Sequence, residues 1–337
     1  MWLTSSSIGR KLVMALTGIC LVLFVTFHVL MNAVALIWPT AYNSVCEFLG
    51  ANWYALIASA GLAFLFIIHI VYALWLTLQN RKARGADRYA VTTRPPQVEW
   101  ASKNMLILGI AVIAFLVVHL IQFWAKMQWQ ELRHAELSVL PVINGTPVPP
   151  SMGTLLLQIA FSEIWTPIVY IIGFIALWFH MNHGFWSMLH TIGWNNNVWM
   201  PRLKKIGCWW TSIVVLLFTA QAIVFTIHAQ NKYYTTDPAL QAQYAEYWDG
   251  YAKKMNKEFM ADFYKTMKDA KDPMAQRTAQ QKYLEEAGPD FIKEAQLLDS
   301  ISKVQFPVVA PGASFQELQQ TSMQIGYMIG NTTQQQN

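Results

Sequence analysis

The stretch Ile164–Leu189 reads IWTPIVYIIGFIALWFHMNHGFWSML and contains no Asp, Glu, Lys or Arg. A helix needs about 20 predominantly apolar residues to cross the hydrocarbon core of a bilayer. Other parts of the 337-residue chain meet the same two conditions. The candidate spans are Leu12–Ile37, Trp53–Leu78, Met105–Ala125, Ile164–Leu189 and Ile206–Ala229. The pattern predicts an all-α membrane protein, a five-transmembrane-helix bundle.

The composition agrees with a chain that is folded mainly in lipid. Hydrophobic residues make up 54% of it and charged residues only 13%, whereas soluble domains have about a quarter of their residues charged. The net charge is +5, but the basic residues are distributed as at a membrane surface, so no nucleic acid partner is expected. The three cysteines form no C-x-x-C pair, which argues against a disulfide framework, a zinc ribbon and covalently attached c-type haem.

Basic residues outside the spans predict the orientation, because cytoplasmic connections are enriched in Lys and Arg. They cluster before the first span and in the second and fourth connections, whereas the first connection has none and the third has only Lys126 and Arg133. The clustered residues are Arg10, Lys11, Arg81, Lys82, Arg84, Arg88, Arg94, Lys103, Arg202, Lys204 and Lys205. The N-terminus is therefore expected in the cytoplasm and the C-terminus outside.

Two parts of the chain are expected, a membrane domain over residues 1–230 and a polar helical extension over 231–337 on the outer side. Asp237 and Asp272 each precede a proline, as an N-cap residue precedes proline at the first helical position. The sequence Gly288-Pro289 is expected to break the second of these helices. The proline-rich third connection is expected to be an ordered or partly extended loop.

Histidines stand out inside the apolar runs, where an ionisable side chain is costly and is a functional candidate by default. A single such histidine is as readily explained by a structural hydrogen bond to a neighbouring helix. Four consecutive spans each contain at least one, and this recurrence favours a shared function. The residues are His28, His69, His119, His180 and His183.

Counting residues at about 1.5 Å of rise each assigns a depth to four of these histidines. His28 lies about 17 residues beyond Lys11, and His119 about 16 beyond Lys103, on spans that run outward. His69 lies about 12 residues before the basic cluster of the second connection, and His180 about 16 into its span, both on spans that run inward. The count predicts an outer pair and an inner pair, each drawn from non-consecutive helices.

Two imidazoles facing each other across a helix bundle are what six-coordinate haem requires, since the porphyrin supplies the other four nitrogens. A zinc or di-iron site would need three or four protein ligands at one depth, including carboxylates. The spans contain no carboxylate. We therefore expect two haem b groups, one for each pair.

Several motifs, taken in order over residues 5–230, resemble the five-helix dihaem cytochrome b subunit of succinate:menaquinone oxidoreductases and quinol:fumarate reductases. The motifs are Ser7-Ile-Gly-Arg-Lys11, His28-x-x-x-Asn32 with Ala41-Tyr-Asn-Ser44, His69-Ile-Val-Tyr72, and Phe179-His-Met-Asn-His-Gly-Phe-Trp-Ser187 followed by Gly193-Trp194. The resemblance implies axial ligation of one haem iron by His28 and His119 and of the other by His69 and His180.

The fourth span offers a choice between two histidines. The ligand of the family resembles a histidine four residues before a glycine, which here is His180 with Gly184. Positions i and i+4 share a helix face, so the glycine leaves room for a porphyrin plane. His183 is interpreted as a hydrogen-bonding residue for a propionate or on the quinone side, with ligation as its alternative role.

The resemblance implies a membrane anchor in the bacterial cytoplasmic (inner) membrane that binds a flavoprotein subunit and an iron–sulfur subunit. Electrons would pass between them and a membrane quinone, menaquinone or menaquinol, in the respiratory chain and tricarboxylic acid cycle. No dicarboxylate chemistry is expected in this chain. Glu47 and Glu163 are the candidates for quinone-side proton transfer. Some relatives have a glutamate two residues before the ligand of the fourth span, where this chain has Trp178.

Two other functions remain open at this point. A dihaem cytochrome b can anchor a different quinone-linked oxidoreductase, such as a hydrogenase or formate dehydrogenase, and the soluble partner would distinguish it. A non-redox membrane protein with structural histidines would be colourless when purified.

Overall fold

The computed structural model describes residues 6–84, 100–133, 136–268, 272–302 and 313–335. Contacts divide the chain into two compact units, the first being Met1–Leu140 with Pro149–Lys232 and the second Pro141–Val148 with Tyr233–Asn337. The helices of the first unit are α1 (Ser7–Ile37), α2 (Pro39–Ala51), α3 (Trp53–Arg84), α4 (Trp100–His119), α5 (Gln128–Leu132), α6 (Gly153–Phe161), α7 (Trp165–Thr191) and α8 (Trp199–Gln230).

Five helices of the first unit are long and apolar enough to cross a membrane, which confirms the predicted fold class. They are α1, α3, α4 with the π-helical turn Leu120–Trp124 that continues it, α7 and α8. Each also presents large apolar side chains outward, among them Leu23, Phe64, Ile107, Ile172 and Leu216, which are 61–67% exposed. Such extensive apolar exposure is stable only against lipid or another protein, so the chain is a multi-pass membrane protein with the bilayer as its partner.

The helices α1 and α7 lie at the centre of the bundle. They pack against each other and both against α8, while α3 packs on α1 and α4 packs on α7. At Gly173 of α7 a Cβ atom would overlap the ring of Phe115 on α4. The glycine therefore allows the close approach of these two helices. One of them, α4, carries His119 of the outer pair, and the other, α7, carries His180 of the inner pair.

Two short helices, α2 and α6, lie in the connections and were missed by the sequence analysis, which treated the third connection as a loop. Almost all of α6 is buried. The side-chain oxygen of Asn43 on α2 accepts hydrogen bonds from the backbone N–H of Thr154 at 2.9 Å and from its hydroxyl at 3.0 Å. Both residues are buried. This clasp satisfies a donor at the start of α6 that the helix itself leaves unpaired.

The Asn43→Ala variant is expected to lose about 1–3 kcal/mol of stability, because the two buried hydrogen bonds that Asn43 accepts from Thr154 are lost. The thermal unfolding midpoint of the purified chain in detergent measures the loss. Asn104→Ala is the matched control, because the half-buried side chain of Asn104 donates to the carbonyl of Trp100 in its own helix. Equal midpoints for the two variants would show that the clasp is dispensable.

The second unit begins with a hairpin in which β1 (Val142–Ile143) pairs antiparallel with β2 (Thr146–Pro147). Asn144 and Gly145 at the turn have φ angles of 49° and 83°, as a tight hairpin turn requires. The helices of this unit are α9 (Tyr233–Thr236), α10 (Pro238–Lys268), α11 (Pro273–Ser302) and α12 (Ala313–Gln335).

Both predicted helix starts of the extension are confirmed. The carboxylate of Asp237 accepts hydrogen bonds from the backbone N–H groups of Ala239 and Leu240, and that of Asp272 accepts them from Met274 and Ala275. The three long helices pack on one another. Phe259 of α10, for example, lies with its ring centroid 4.3 Å from that of Phe291 on α11.

The predicted break at Gly288-Pro289 is wrong, because α11 continues through Pro289 without interruption. A proline inside a helix removes one backbone hydrogen bond and crowds the preceding turn. Packing on α12 opposes that cost. A Cβ atom at Gly288 would lie 3.0 Å from Ile325 and 2.9 Å from Ile329, so the glycine beside the proline allows α12 to pack closely here.

Candidate metal centre

The outer pair of histidines joins two helices that are not consecutive spans. The ring centroids of His28 on α1 and His119 on α4 are 5.8 Å apart, with an angle of 84° between the ring planes. Aromatic side chains surround them: Phe24 stacks on His28, while Phe115 and Phe123 lie against His119. The pair is therefore enclosed in an apolar setting between α1 and α4.

The inner pair joins the other two histidine-bearing spans. The ring centroids of His69 on α3 and His180 on α7 are 6.3 Å apart, with an angle of 67° between the ring planes. Small residues lie beside the pair. A Cβ atom at Gly18 would lie 3.9 Å from His69, and one at Gly109 would lie 3.7 Å from His180.

Three helices give the same separation between the two pairs along the bundle. On α1, Thr17 contacts the inner pair, and the outer-pair histidine follows 11 residues later, at position 28. On α4, Gly109 adjoins the inner pair, with the outer-pair histidine at position 119. On α7, Tyr170 contacts the outer pair, with the inner-pair histidine at position 180. At about 1.5 Å of rise per residue, each interval is about 15 Å.

The surroundings of His69 match one ring tautomer, and the tautomer sets which atom donates in the bond to Thr17. Its Nδ1 lies 3.1 Å from the hydroxyl oxygen of Thr17. That hydroxyl has one proton, which it donates to the carbonyl oxygen of Val13 or Met14 in its own helix. The oxygen of Thr17 must then accept from Nδ1–H of His69. Nε2 of His69 is therefore the unprotonated nitrogen, the one that can bind a metal.

The ring of His28 has the same protonation but a different partner. The side-chain amide nitrogen of Asn32 lies 3.2 Å from its Nε2 and donates to the carbonyl oxygen of His28 at 2.9 Å. The amide oxygen of Asn32 accepts from the hydroxyl of Tyr42, which fixes the amide orientation. Because an amide N–H only donates, Nε2 of His28 is unprotonated. The hydrogen bond between Asn32 and Nε2 of His28 must therefore break before this nitrogen can bind a metal.

The inner-pair histidine of α7 contains a polar atom with an unmet hydrogen bond. Nδ1 of His180 is buried without a hydrogen-bond partner. An unpaired buried nitrogen is costly and is a common mark of a site that binds something else.

The two pairs fit haem better than a metal held by protein alone. In the described ranges, no three His, Cys, Asp or Glu side chains come together as a metal site, so the pairs are the largest donor sets found there. Imidazole nitrogens bind metals at about 2.0–2.1 Å, so two rings that share one metal have centroids roughly 6 Å apart. Ordinary aromatic pairs have similar spacings, and the unprotonated Nε2 atoms therefore carry more weight.

Gly184, one turn beyond His180 on α7, faces open space, since a Cβ atom there would meet nothing within 4 Å. His183 lies three residues after His180 on the same helix and is not one of the paired rings. Its ring packs edge-to-face on Trp186, with centroids 4.7 Å apart, and Lys204 lies 4.0 Å above the same tryptophan ring. His183 is therefore placed among groups at the basic end of the helix.

Neither candidate carboxylate lies at a histidine pair. Glu47 and Glu163 are exposed, and in the described chain neither is hydrogen-bonded to a histidine. Glu47 lines a surface cleft of about 430 Å³ with Phe48 and Trp53 among its other walls. Trp178 donates its indole N–H to the hydroxyl of Ser212 at 2.9 Å.

The polar partners of the histidines were not singled out by the sequence analysis. Apart from Asn32, which belongs to a quoted motif, they are Thr17 and Tyr170, and Gln122 in turn bonds Tyr170; all three are buried. Their signal was a polar side chain within an apolar span, which taken alone is more often bonded to its own helix backbone.

No protein-family model matches the chain, and no curated protein or solved structure matches it either. The resemblance to dihaem cytochrome b subunits therefore remains a prediction from the sequence motifs.

Proposed function

We propose that this chain is the cytochrome b membrane-anchor subunit of a succinate dehydrogenase or fumarate reductase complex of the bacterial cytoplasmic membrane. It would pass electrons between an iron–sulfur subunit and a membrane quinone, menaquinone or menaquinol. The observation that supports this most is the presence of two histidine pairs about 15 Å apart along the bundle, with ring centroids 5.8 Å and 6.3 Å apart. One pair near each side of the membrane suits transfer across it.

The histidines would hold two b haems, His28 with His119 and His69 with His180. Haem supplies reversible one-electron transfer when bound, and its axial ligands and surroundings tune the potential. The protein's part is to orient the rings: Thr17 holds Nδ1 of His69, and the aromatic side chains around the outer pair exclude water. Gly184, one helical turn from His180, adds no side chain to open space on α7.

The basic end of the bundle would receive the iron–sulfur and flavoprotein subunits. The basic residues at the start of α1, the end of α3 and the start of α8 lie at one end of the spans by the connectivity of the helices. Arg10 lies 5.1 Å over the ring of Trp75 and Lys204 lies 4.0 Å over that of Trp186, so part of this charge is ordered by aromatic contacts. Two members of the basic cluster, Arg88 and Arg94, lie outside the described residues.

At the other end, quinone chemistry requires a group that exchanges protons. Glu47 and Glu163 are the proposed candidates, and Glu47 has a cleft beside it that an isoprenoid quinone head group can approach. His183 is proposed as a hydrogen-bonding residue near the inner pair. No dicarboxylate chemistry is proposed for this chain.

Purification of the chain with its natural partners from its own membranes tests the proposal. A reduced-minus-oxidised spectrum and a pyridine haemochrome count are expected to give two b haems per chain, with flavin and iron–sulfur clusters in the same preparation. Reduction of the haems by succinate, or their oxidation by fumarate, identifies the complex. A colourless protein would leave a non-redox membrane protein. Two haems with a hydrogenase or formate dehydrogenase partner would establish the other kind of dihaem anchor.

A further inference from the structure

A chain of hydrogen bonds leads away from the outer pair through the interior of the bundle. Nδ1 of His119 lies 3.2 Å from the hydroxyl oxygen of Tyr170. That hydroxyl donates to the amide oxygen of Gln122 at 2.9 Å, and the amide nitrogen of Gln122 donates to the hydroxyl oxygen of Thr166 at 3.1 Å. Tyr170, Gln122 and Thr166 are 5%, 8% and 0% exposed.

The order of donors and acceptors in this chain matches one tautomer of His119, and the tautomer sets which atom donates in the bond to Tyr170. The amide of Gln122 donates through nitrogen to Thr166, so its oxygen faces Tyr170 and can only accept. The single hydroxyl proton of Tyr170 is used in that bond, and its oxygen is left to accept from the ring of His119. Nδ1 of His119 is then protonated and Nε2 is unprotonated, as at His69.

Local backbone structure brings two members of the chain together. His119 is the last residue of α4, and Gln122 lies in the π-helical turn Leu120–Trp124 that follows it. Both side chains reach the same hydroxyl of Tyr170 on α7. Single π-helical turns are rare and recur at functional sites, and three buried polar groups in a membrane span are costly unless every one is paired.

We propose that Tyr170, held by Gln122 and Thr166, is a positioning residue that keeps Nε2 of His119 unprotonated and directed to a metal. This inference rests on the proposed function for the metal, whereas the hydrogen-bonded contacts among His119, Tyr170 and Gln122 do not depend on it. A hydrogen bond to the second nitrogen of a ligating histidine fixes the ring and increases its basicity, and loss of such a partner typically weakens metal binding by about 10–100-fold. The competing explanation is a polar clasp that only joins α4 to α7.

The first experiment uses the full chain made in a haem-deficient host and labelled with ¹⁵N-histidine. Nitrogen chemical shifts report which ring nitrogen is protonated, and a His119→Gln variant assigns the signals. The unsubstituted chain is expected to show protonated Nδ1 and unprotonated Nε2 at His119, whereas Tyr170→Phe is expected to show a mixture of both forms. Thr226→Val is the matched control, because the Thr226 hydroxyl bonds the carbonyl of Ala222 in its own helix. Protonated Nε2 in the unsubstituted chain, or identical signals in Tyr170→Phe, would overturn the proposal.

The second experiment uses the haem-containing protein in redox titrations. Tyr170→Phe and Gln122→Leu are expected to raise the midpoint potential of one haem only, since a less basic ligand stabilises ferric iron less. The same haem should dissociate about 10-fold more readily, with the larger effect in Tyr170→Phe. Unchanged potentials for both haems, or an equal loss of both, would show that the chain of bonds supports only the fold.

The two experiments separate the two proposals. If the unsubstituted protein is purified without haem under all conditions, the proposed function fails, and the nitrogen shifts alone decide whether Tyr170 sets the protonation of His119. If haem is present and the variants behave like the unsubstituted protein, the function stands and the role of Tyr170 fails.

Discussion

The His180→Ala variant is expected to retain one b haem for each chain instead of two. Deleting this ring leaves His69 as the single imidazole of the inner pair, and one ligand cannot complete a six-coordinate iron. The outer pair shares no ligand with it, so its haem should keep its spectrum and midpoint potential. A pyridine haemochrome count and a redox titration of the purified variant measure both expectations.

His190→Ala is the matched control for this substitution. His190 lies in the last turn of the same helix with its side chain exposed, so both haems should remain. His28→Ala should lose the other haem, with the complementary loss in the redox titration. Retention of two haems by His180→Ala, together with loss of one by His183→Ala, would assign ligation to His183.

The Gly184→Leu variant is expected to lose the inner haem while the unloaded chain folds normally. A side chain at this position meets open space in the protein, and replacing glycine within a helix gains about 1 kcal/mol of helix propensity. The unloaded variant should therefore be at least as stable as the unsubstituted chain. If a porphyrin occupies that space, leucine excludes it.

Gly250→Leu provides the comparison, because Gly250 also faces open space in a helix but belongs to α10 of the second unit. It should gain the same helix propensity and keep both haems. Thermal unfolding of the haem-free chains and haem counts of the loaded ones are the two measurements. Two haems in Gly184→Leu would place the porphyrin away from this glycine and remove the reason for the His180-to-Gly184 spacing.

Hydropathy and helical rise were sufficient to predict the five spans and to sort four histidines by depth. Both depend on properties that act along a single helix: an apolar run long enough for the bilayer, and about 1.5 Å of advance per residue. The rings that the depth count paired, His28 with His119 and His69 with His180, are the rings that adjoin in the structure.

The features that the sequence did not predict depend on contacts between helices. In the sequence Thr17 looks like any threonine whose hydroxyl bonds its own helix. Only the packing of α3 on α1 places His69 against it. The helix α6 has only nine residues, and it is stabilised by burial and by the hydrogen bond to Asn43 rather than by the helix propensity of its own sequence. The helix continues through Pro289 because α12 packs at Gly288. A rule for proline that considers only the neighbouring sequence does not include such a contact between helices.

The pairing of alternate spans sets an order of assembly during synthesis. The outer pair is complete once α4 has entered the membrane, because its rings come from α1 and α4, whereas the inner pair also needs α7. A chain that is still emerging from the ribosome can thus contain both rings of the outer pair before it contains both rings of the inner pair, while Tyr170, which bonds His119, arrives only with α7. The last span, α8, supplies no ring to either pair but packs on both α1 and α7, so its arrival closes the bundle around sites that are already formed.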